Sequence, residues 1–198
     1  INFSQISSST NGQGLYYTNT NTEGNKTTYY FRGAVENNYV EFAGLYWRII
    51  RINEDGSIRL IYQGTTPDAT GEAATIGTNS FNQAHNDNAN LGFMYGTDNG
   101  GNTYEETHAN ITSSVAKKEL DQWYINNLLD EYDSYIADSG FCGDRSLYSG
   151  DGIGNGENEY GGTNSTYYGA YNRLFRVYEP QFSCPQSNDL YTTSSSSK

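Results

Sequence analysis

Proline, methionine, histidine, cysteine and positive charge are all scarce in this chain: 198 residues hold three Pro, one Met, two His, two Cys and 11 Lys or Arg. Each shortage excludes something. His85 lies in QAHNDN and His108 in EETH. Neither has a second histidine at helical spacing and neither cysteine has a CxxC partner, which argues against a zinc site and leaves both as surface residues of polar loops. No Gly-x-Ser-x-Gly elbow is present, and a Cys/His nucleophile would need a free thiol. Eleven basic residues against 23 acidic ones leave a net charge of −12. With no run of Lys or Arg to oppose that field, nucleic acid is not an expected partner. Apolar runs long enough to span a membrane and a signal-peptide pattern are missing too, and a chain that opens on Ile1 reads as processed or trimmed.

The apolar content is carried largely by aromatics, with 19 Tyr, 8 Phe and 2 Trp, while Asn, Ser, Thr and Gly fill much of the remainder. Tyrosine buries its ring and keeps its hydroxyl wet, and a Tyr- and Asn-rich, Lys-poor chain points to an extracellular domain. In that setting Cys142 and Cys184 suggest one disulfide, whereas in a cytosolic protein they would be two buried thiols. A bridge would stabilise the fold by ~3–4 kcal/mol in the chain-entropy model. The length suits one domain over residues 15–191, with a polar leader at 1–14 and a tail at 192–198 too polar to order itself.

The segment around which the rest is organised is Tyr39–Gln63, YVEFAGLYWRIIRINEDGSIRLIYQ. It predicts a central antiparallel hairpin with arms at 46–52 and 57–62, β-branched and aromatic on both sides of Asn53-Glu54-Asp55-Gly56. Leu15–Thr18 and Thr27–Arg32 are further strand candidates. Residues 64–110 lose all periodicity, so long irregular loops with short strands at most are expected. One main helix is predicted at about 113–131. Thr112, Ser113 and Ser114 offer N-cap hydroxyls, and Ala116, Leu120, Trp123, Tyr124 and Leu128 form an apolar stripe through which Trp123 would lock the helix to the sheet. The fold class is therefore α+β, a β-rich single domain.

Candidate sites are sparse. Asp151, Asn155, Glu157 and Glu159 place oxygen ligands on the Gly-rich loop SGDGIGNGENEYGGT, which makes calcium the better ionic candidate, although the EF-hand spacing is missing because position 162 is Gly. Otherwise the acidity serves solubility. Asp144 and Arg145 read as an ion pair pinning the segment beside Cys142. The sequons at Asn2, Asn25, Asn110 and Asn164 are what an Asn/Thr-rich chain produces by chance. Tyr95, Tyr104, Tyr160, Tyr167 and Tyr168 are the candidate ligand-binding residues, since Tyr and Asn give rigid contact area and adaptable hydrogen bonding in recognition loops.

Several phrases stand out together: YYFRGAVENNYVEFAGLYWRIIRINEDGSIRLIY at 29–62, LDQWYINNL at 120–128, YIADSGFCGDRSLYSG at 135–150, TYYGAYNRL at 166–174 and FSCPQSNDL at 182–190. Over about residues 15–191 the chain resembles a family of surface proteins of gram-positive gut bacteria, often with a prepilin-like apolar helix ahead of this region. That family is similar to formylglycine-generating-enzyme-like and C-type-lectin-like domains. The resemblance implies a C-type-lectin-like closure, or a truncated version of it where the C-terminal stretch of such relatives is missing. Neither cysteine maps onto the enzyme's copper site, and likeness of fold does not carry activity. The expected function is a non-catalytic, adhesin-like domain at the cell surface that recognises a glycan or protein ligand. Self-assembly as a subunit or decoration of a pilus-like filament is the alternative, and a divergent formylglycine-generating-like enzyme with free thiols a third.

Overall fold

The computed structural model describes residues 1, 12–20, 22–82, 92–96, 106, 109–137, 139–143, 182–184 and 190–191. The expected tail at 192–198, most of the leader, and residues 83–91, 97–105 and 144–181 lie outside the described residues. The chain divides into two compact units, Ile1–Thr78 and Asn79–Lys198. Its architecture is β-rich α+β, as the sequence predicts.

The first unit is one antiparallel five-stranded sheet. Its strands are β1 (Gly14–Thr18), β2 (Thr28–Arg32), β3 (Tyr39–Phe42), β4 (Leu45–Ile52) and β5 (Ile58–Gly64). The long strand β4 is central: β2 and β3 share one of its edges, β5 occupies the other, and β1 pairs beyond β2. The predicted hairpin is thus β4–β5. Its turn closes when the Gly56 amide donates to the Asn53 carbonyl at 3.0 Å and the Asn53 amide to the Ser57 carbonyl at 2.8 Å, with Gly56 left-handed at φ 85°. This is a type I turn followed by a glycine bulge, and it sets Ile52 opposite Ile58.

β3 is a strand that the hairpin reading left undivided. Phe42 pairs with Leu45 across Ala43-Gly44, whose φ angles of 58° and 69° are those of a two-residue type I′ turn. Alanine pays a steric penalty there that Asn largely avoids. Ala43→Asn is expected to raise stability by about 1 kcal/mol, read as a higher urea midpoint at constant m value.

The pleat separates two chemistries. Leu15, Phe31, Val40, Trp47, Ile49, Leu60 and Tyr62 share one face by their register, with Leu15 and Ile49 buried and Trp47 edge-on to Tyr62 at 5.7 Å. The indole N–H donates to the Phe42 carbonyl at 2.9 Å, which ties the Ala43-Gly44 turn to the sheet.

In the second unit, α1 (Val115–Asn127) and the short α2 (Leu129–Tyr132) replace the single predicted helix at 113–131. Ser114 is the N-cap, its Oγ accepting from the Lys117 amide at 2.9 Å, and the break falls at Leu128, where φ is −129°. Thr112 and Ser113 instead form β7 (Thr112–Ser113), paired with β6 (Met94–Tyr95). The predicted apolar stripe is also corrected. Leu120 is exposed, whereas Lys117 and Asp121 are buried at 3% and 7% exposure and joined by a 2.6 Å salt bridge. Trp123 is half-buried within this unit.

Cys142 and Cys184 stand at disulfide distance, their Cα atoms 5.4 Å apart, so the expected bridge is present. It joins β8 (Phe141–Cys142), which pairs with β9 (Leu190–Tyr191), to the 182–184 segment. Beside it Phe81, Phe93, Tyr191 and Phe141 form a chain of ring contacts with centroids 4.9–5.9 Å apart.

Candidate functional site

The other face of the first unit's sheet is built from arginine and tyrosine. Strand register sets Tyr16 opposite Tyr30, Tyr30 opposite Arg51 and Arg51 opposite Arg59, so four strands contribute one residue each to a single row. Four strands at the usual spacing make that row about 14 Å long. Tyr16 and Tyr30 stack with centroids 5.7 Å apart, and the Arg32 guanidinium lies 5.1 Å above the Tyr16 ring, a cation–π arrangement. Tyr16 is buried; Tyr30, Arg51 and Arg59 are half-buried and Arg32 is exposed.

Arg48 belongs to the same face through a β-bulge. Residues three apart on a regular strand point to opposite sides, but the register shifts between Ile49 and Arg51, and the extra residue returns Arg48 and Arg51 to one side. Arg48 has a structural role. Its guanidinium donates to Gln63 Oε1 at 2.8 Å, the Val35 carbonyl at 2.6 Å, Asn38 Oδ1 at 3.4 Å and the Tyr39 hydroxyl, and it stacks on the Tyr39 ring at 4.3 Å. Asn38 in turn donates to the Ile49 carbonyl at 2.9 Å, and Gln63 to that of Ala69 at 2.7 Å. The WRIIR arginine thereby pins the loops on both sides of the sheet.

Arg51 and Arg59 are arranged differently. Two guanidinium groups directly opposite on neighbouring strands repel each other. Burial, and then the Arg59 charge, lower the affinity of Arg51 for its proton, opposed by the fields of Glu54, Glu23 and Asp55. Arg51 also donates to Asn53 Oδ1, while the Glu54 carboxylate accepts from Thr28 at 2.9 Å. Asp55 is held below the usual carboxylate range by hydrogen bonds from the Ser57 hydroxyl and amide.

Sequence reading found no basic cluster because none is contiguous; the sheet assembles one. Four of the seven arginines share this face. Residues 1–78 hold five basic and seven acidic side chains, only −2 of the chain's −12.

No family model, curated protein or solved structure matches this chain.

Of the tyrosines singled out in the sequence, Tyr95 is half-buried in β6, its carbonyl accepting from the Ile111 amide at 3.0 Å. Tyr104, Tyr160, Tyr167 and Tyr168 lie outside the described residues. So do the calcium candidates Asp151, Asn155, Glu157 and Glu159, both histidines, and the Asp144–Arg145 pair. Among the described residues no group of three or more His, Cys, Asp or Glu could hold a metal ion, and no helix is long and apolar enough to cross a membrane. The Tyr124 hydroxyl donates to Asp133, and burial with this bond pushes its pKa up to about 12, fixing the start of the turn at Asp133–Tyr135.

Proposed function

We propose that this chain is a non-catalytic, adhesin-like binding domain displayed outside the cell, with a glycan as its ligand. The observation that carries the reading is the Tyr16–Tyr30–Arg51–Arg59 row, three of its members half-buried, with the exposed Arg32 beside it on the same sheet face. Aromatic rings beside fixed guanidinium donors combine apolar contact with directional hydrogen bonding, which is what recognition of a hydroxyl-rich chain requires. The Tyr- and Asn-rich composition and the Cys142–Cys184 bridge agree with an extracellular setting. The resemblance to bacterial surface proteins supports the same reading, and a lectin-like closure of the chain belongs to this proposal.

A filament subunit is the second reading. β5 is an edge strand in the described sheet, and Ile58 and Ile61, 50% and 54% exposed on its opposite faces, leave it open to pairing with another chain. A glycan and host-protein array separates the two when combined with electron microscopy. Reproducible glycan signals from dispersed monomers are expected; ordered filaments with a silent array would replace the binding reading with the structural one.

A further inference from the structure

We infer that β5 is a self-association surface, through which two copies of this chain pair antiparallel about a two-fold axis at Leu60 and join their sheets into one. The inference does not depend on which ligand the domain binds.

Among the described residues only β4 pairs with β5, so its other edge meets no strand. Edge strands are ordinarily blunted by Pro, Lys or a bulge. Ile58–Tyr62 has none of these, because one register shift of the β4–β5 pair falls at Ile50 in β4 and the other at Gln63, beyond Tyr62. Ile58 and Ile61 are instead exposed. The Ser57 carbonyl accepts from the Asn53 amide across the turn, so by alternation Arg59 and Ile61 turn their backbone groups to β4, and Ile58, Leu60 and Tyr62 turn theirs outward. A second copy is the occupant that this edge fits. With Leu60 opposite Leu60 of the second copy, Ile58 falls opposite Tyr62 and Arg59 opposite Ile61, and the outward-facing residues of both strands meet in register. The apolar face then continues across the axis through a β-branched and aromatic pair on each side of Leu60. Other registers are worse. A slide of two residues one way sets Arg59 against itself, and the other way draws in Gln63 and Gly64, where β5 bulges and packs against Ala69 and Ala73. A slide of one residue turns the two apolar faces to opposite sides. Charge permits the contact, since residues 1–78 carry only −2 of the chain's −12 and Arg59 is the single charge in β5. Its size sets its strength: an edge this short is far below the roughly 20–30 residues a side of a stable interface, so Kd is on the order of 10–100 µM and monomers prevail at the dilution of electron microscopy. The axis stands perpendicular to the sheet, so both copies turn their arginine–tyrosine faces to the same side. An isologous contact also closes at two copies, unlike a filament.

The test is sedimentation equilibrium of the full chain from about 5 to 500 µM, where monomer is expected to pass to dimer and no further. Two variants read the register. Ile61→Lys sets an ammonium opposite Arg59 of the second copy and Ile61→Glu sets a carboxylate there, so the Glu variant should dimerise about tenfold more tightly than the Lys variant. Both lose the same apolar side chain, so the difference between them reports the group across the axis. Arg48 lies opposite Ile61 within each chain, and melting curves at the lowest concentration check that both variants stay folded, as the exposure of Ile61 leads one to expect. A chain that remains monomeric to about 500 µM overturns the self-association surface. Species that grow beyond the dimer overturn the two-fold closure. Equal weakening by Lys and Glu overturns the axis at Leu60, and a dimer that neither variant alters lies elsewhere and overturns the pairing through β5. The glycan array reads the binding function separately, so a failed dimer leaves that reading standing.

Discussion

Replacing Lys117 with Met is expected to destabilise the second unit by about 3–5 kcal/mol, among the largest losses any single polar substitution in this chain would cause. Lys117 and Asp121 are both buried, their charged atoms 2.6 Å apart. Helix energetics alone do not explain the pair. Lys117 stands in the first turn, where the helix dipole disfavours a cation, and Lys preceding Asp at four residues is the weaker orientation. Mutual neutralisation in a water-poor setting is what holds them together, so removing the lysine strands a carboxylate without its counter-ion. Lys117→Met/Asp121→Leu should therefore recover most of the loss, since a buried ion pair exchanged for apolar side chains of similar size is commonly neutral or stabilising. A double-mutant cycle by urea unfolding reads the coupling directly. A cost below about 1 kcal/mol for Lys117→Met would mean that the pair is solvated in solution and behaves as a surface ion pair.

That pair also shows why the helix was only half legible. Three- and four-residue spacings correctly announce a helix, but apolarity chose the stripe through Ala116 and Leu120. The helix instead buries Lys117 and Asp121, each one residue on from Ala116 and Leu120 and so about 100° round the helix, while Leu128 at the C-cap is buried as the predicted stripe has it. Two charged residues that satisfy each other count as polar in any periodicity, although together they behave as an interior group. The sheet was more legible because its local signals agree. β-branched and aromatic runs flank Asn53-Glu54-Asp55-Gly56, and turn chemistry and pattern give the same answer. The arginine row was not legible. Treating all of Asn53–Gly56 as loop would put Ile52 opposite Ser57, whereas the observed glycine-bulge turn puts it opposite Ile58 and Arg51 opposite Arg59. One residue of register decides which side chains share a face. The bulge at Ile50 decides it again for Arg48, and neither shift leaves a mark in composition. A search for contiguous charge passes over this row, and of the tyrosines that loop composition singles out, Tyr104, Tyr160, Tyr167 and Tyr168 lie outside the described residues.

Gly64→Ala is the second large effect, expected to cost the first unit about 3–5 kcal/mol although it adds a single methyl group. Gly64 ends β5 opposite Tyr46 with φ at 131°, a conformation that side chains with a Cβ rarely adopt. A Cβ there would stand 2.6 Å from that of Ala69 and 2.7 Å from the Ala73 carbonyl oxygen. Neither neighbour can swing away, because one is a short side chain and the other is backbone. The loop that carries them is further tied down by Gln63 donating to the Ala69 carbonyl, and Gln63 is itself held by Arg48. Relief would have to come from the whole 65–74 segment moving off the strand, which would take from Gln63 the Ala69 carbonyl to which it donates. Gly56→Ala provides the control: its φ of 85° is also left-handed, but nothing lies within 4 Å of a Cβ there, so it should cost only about 1–2 kcal/mol. The difference between the two variants in urea unfolding isolates the steric clash from the backbone penalty. Equal losses would mean that the 65–74 segment does not pack on β5 in solution, and that the network centred on Arg48 stops at Gln63.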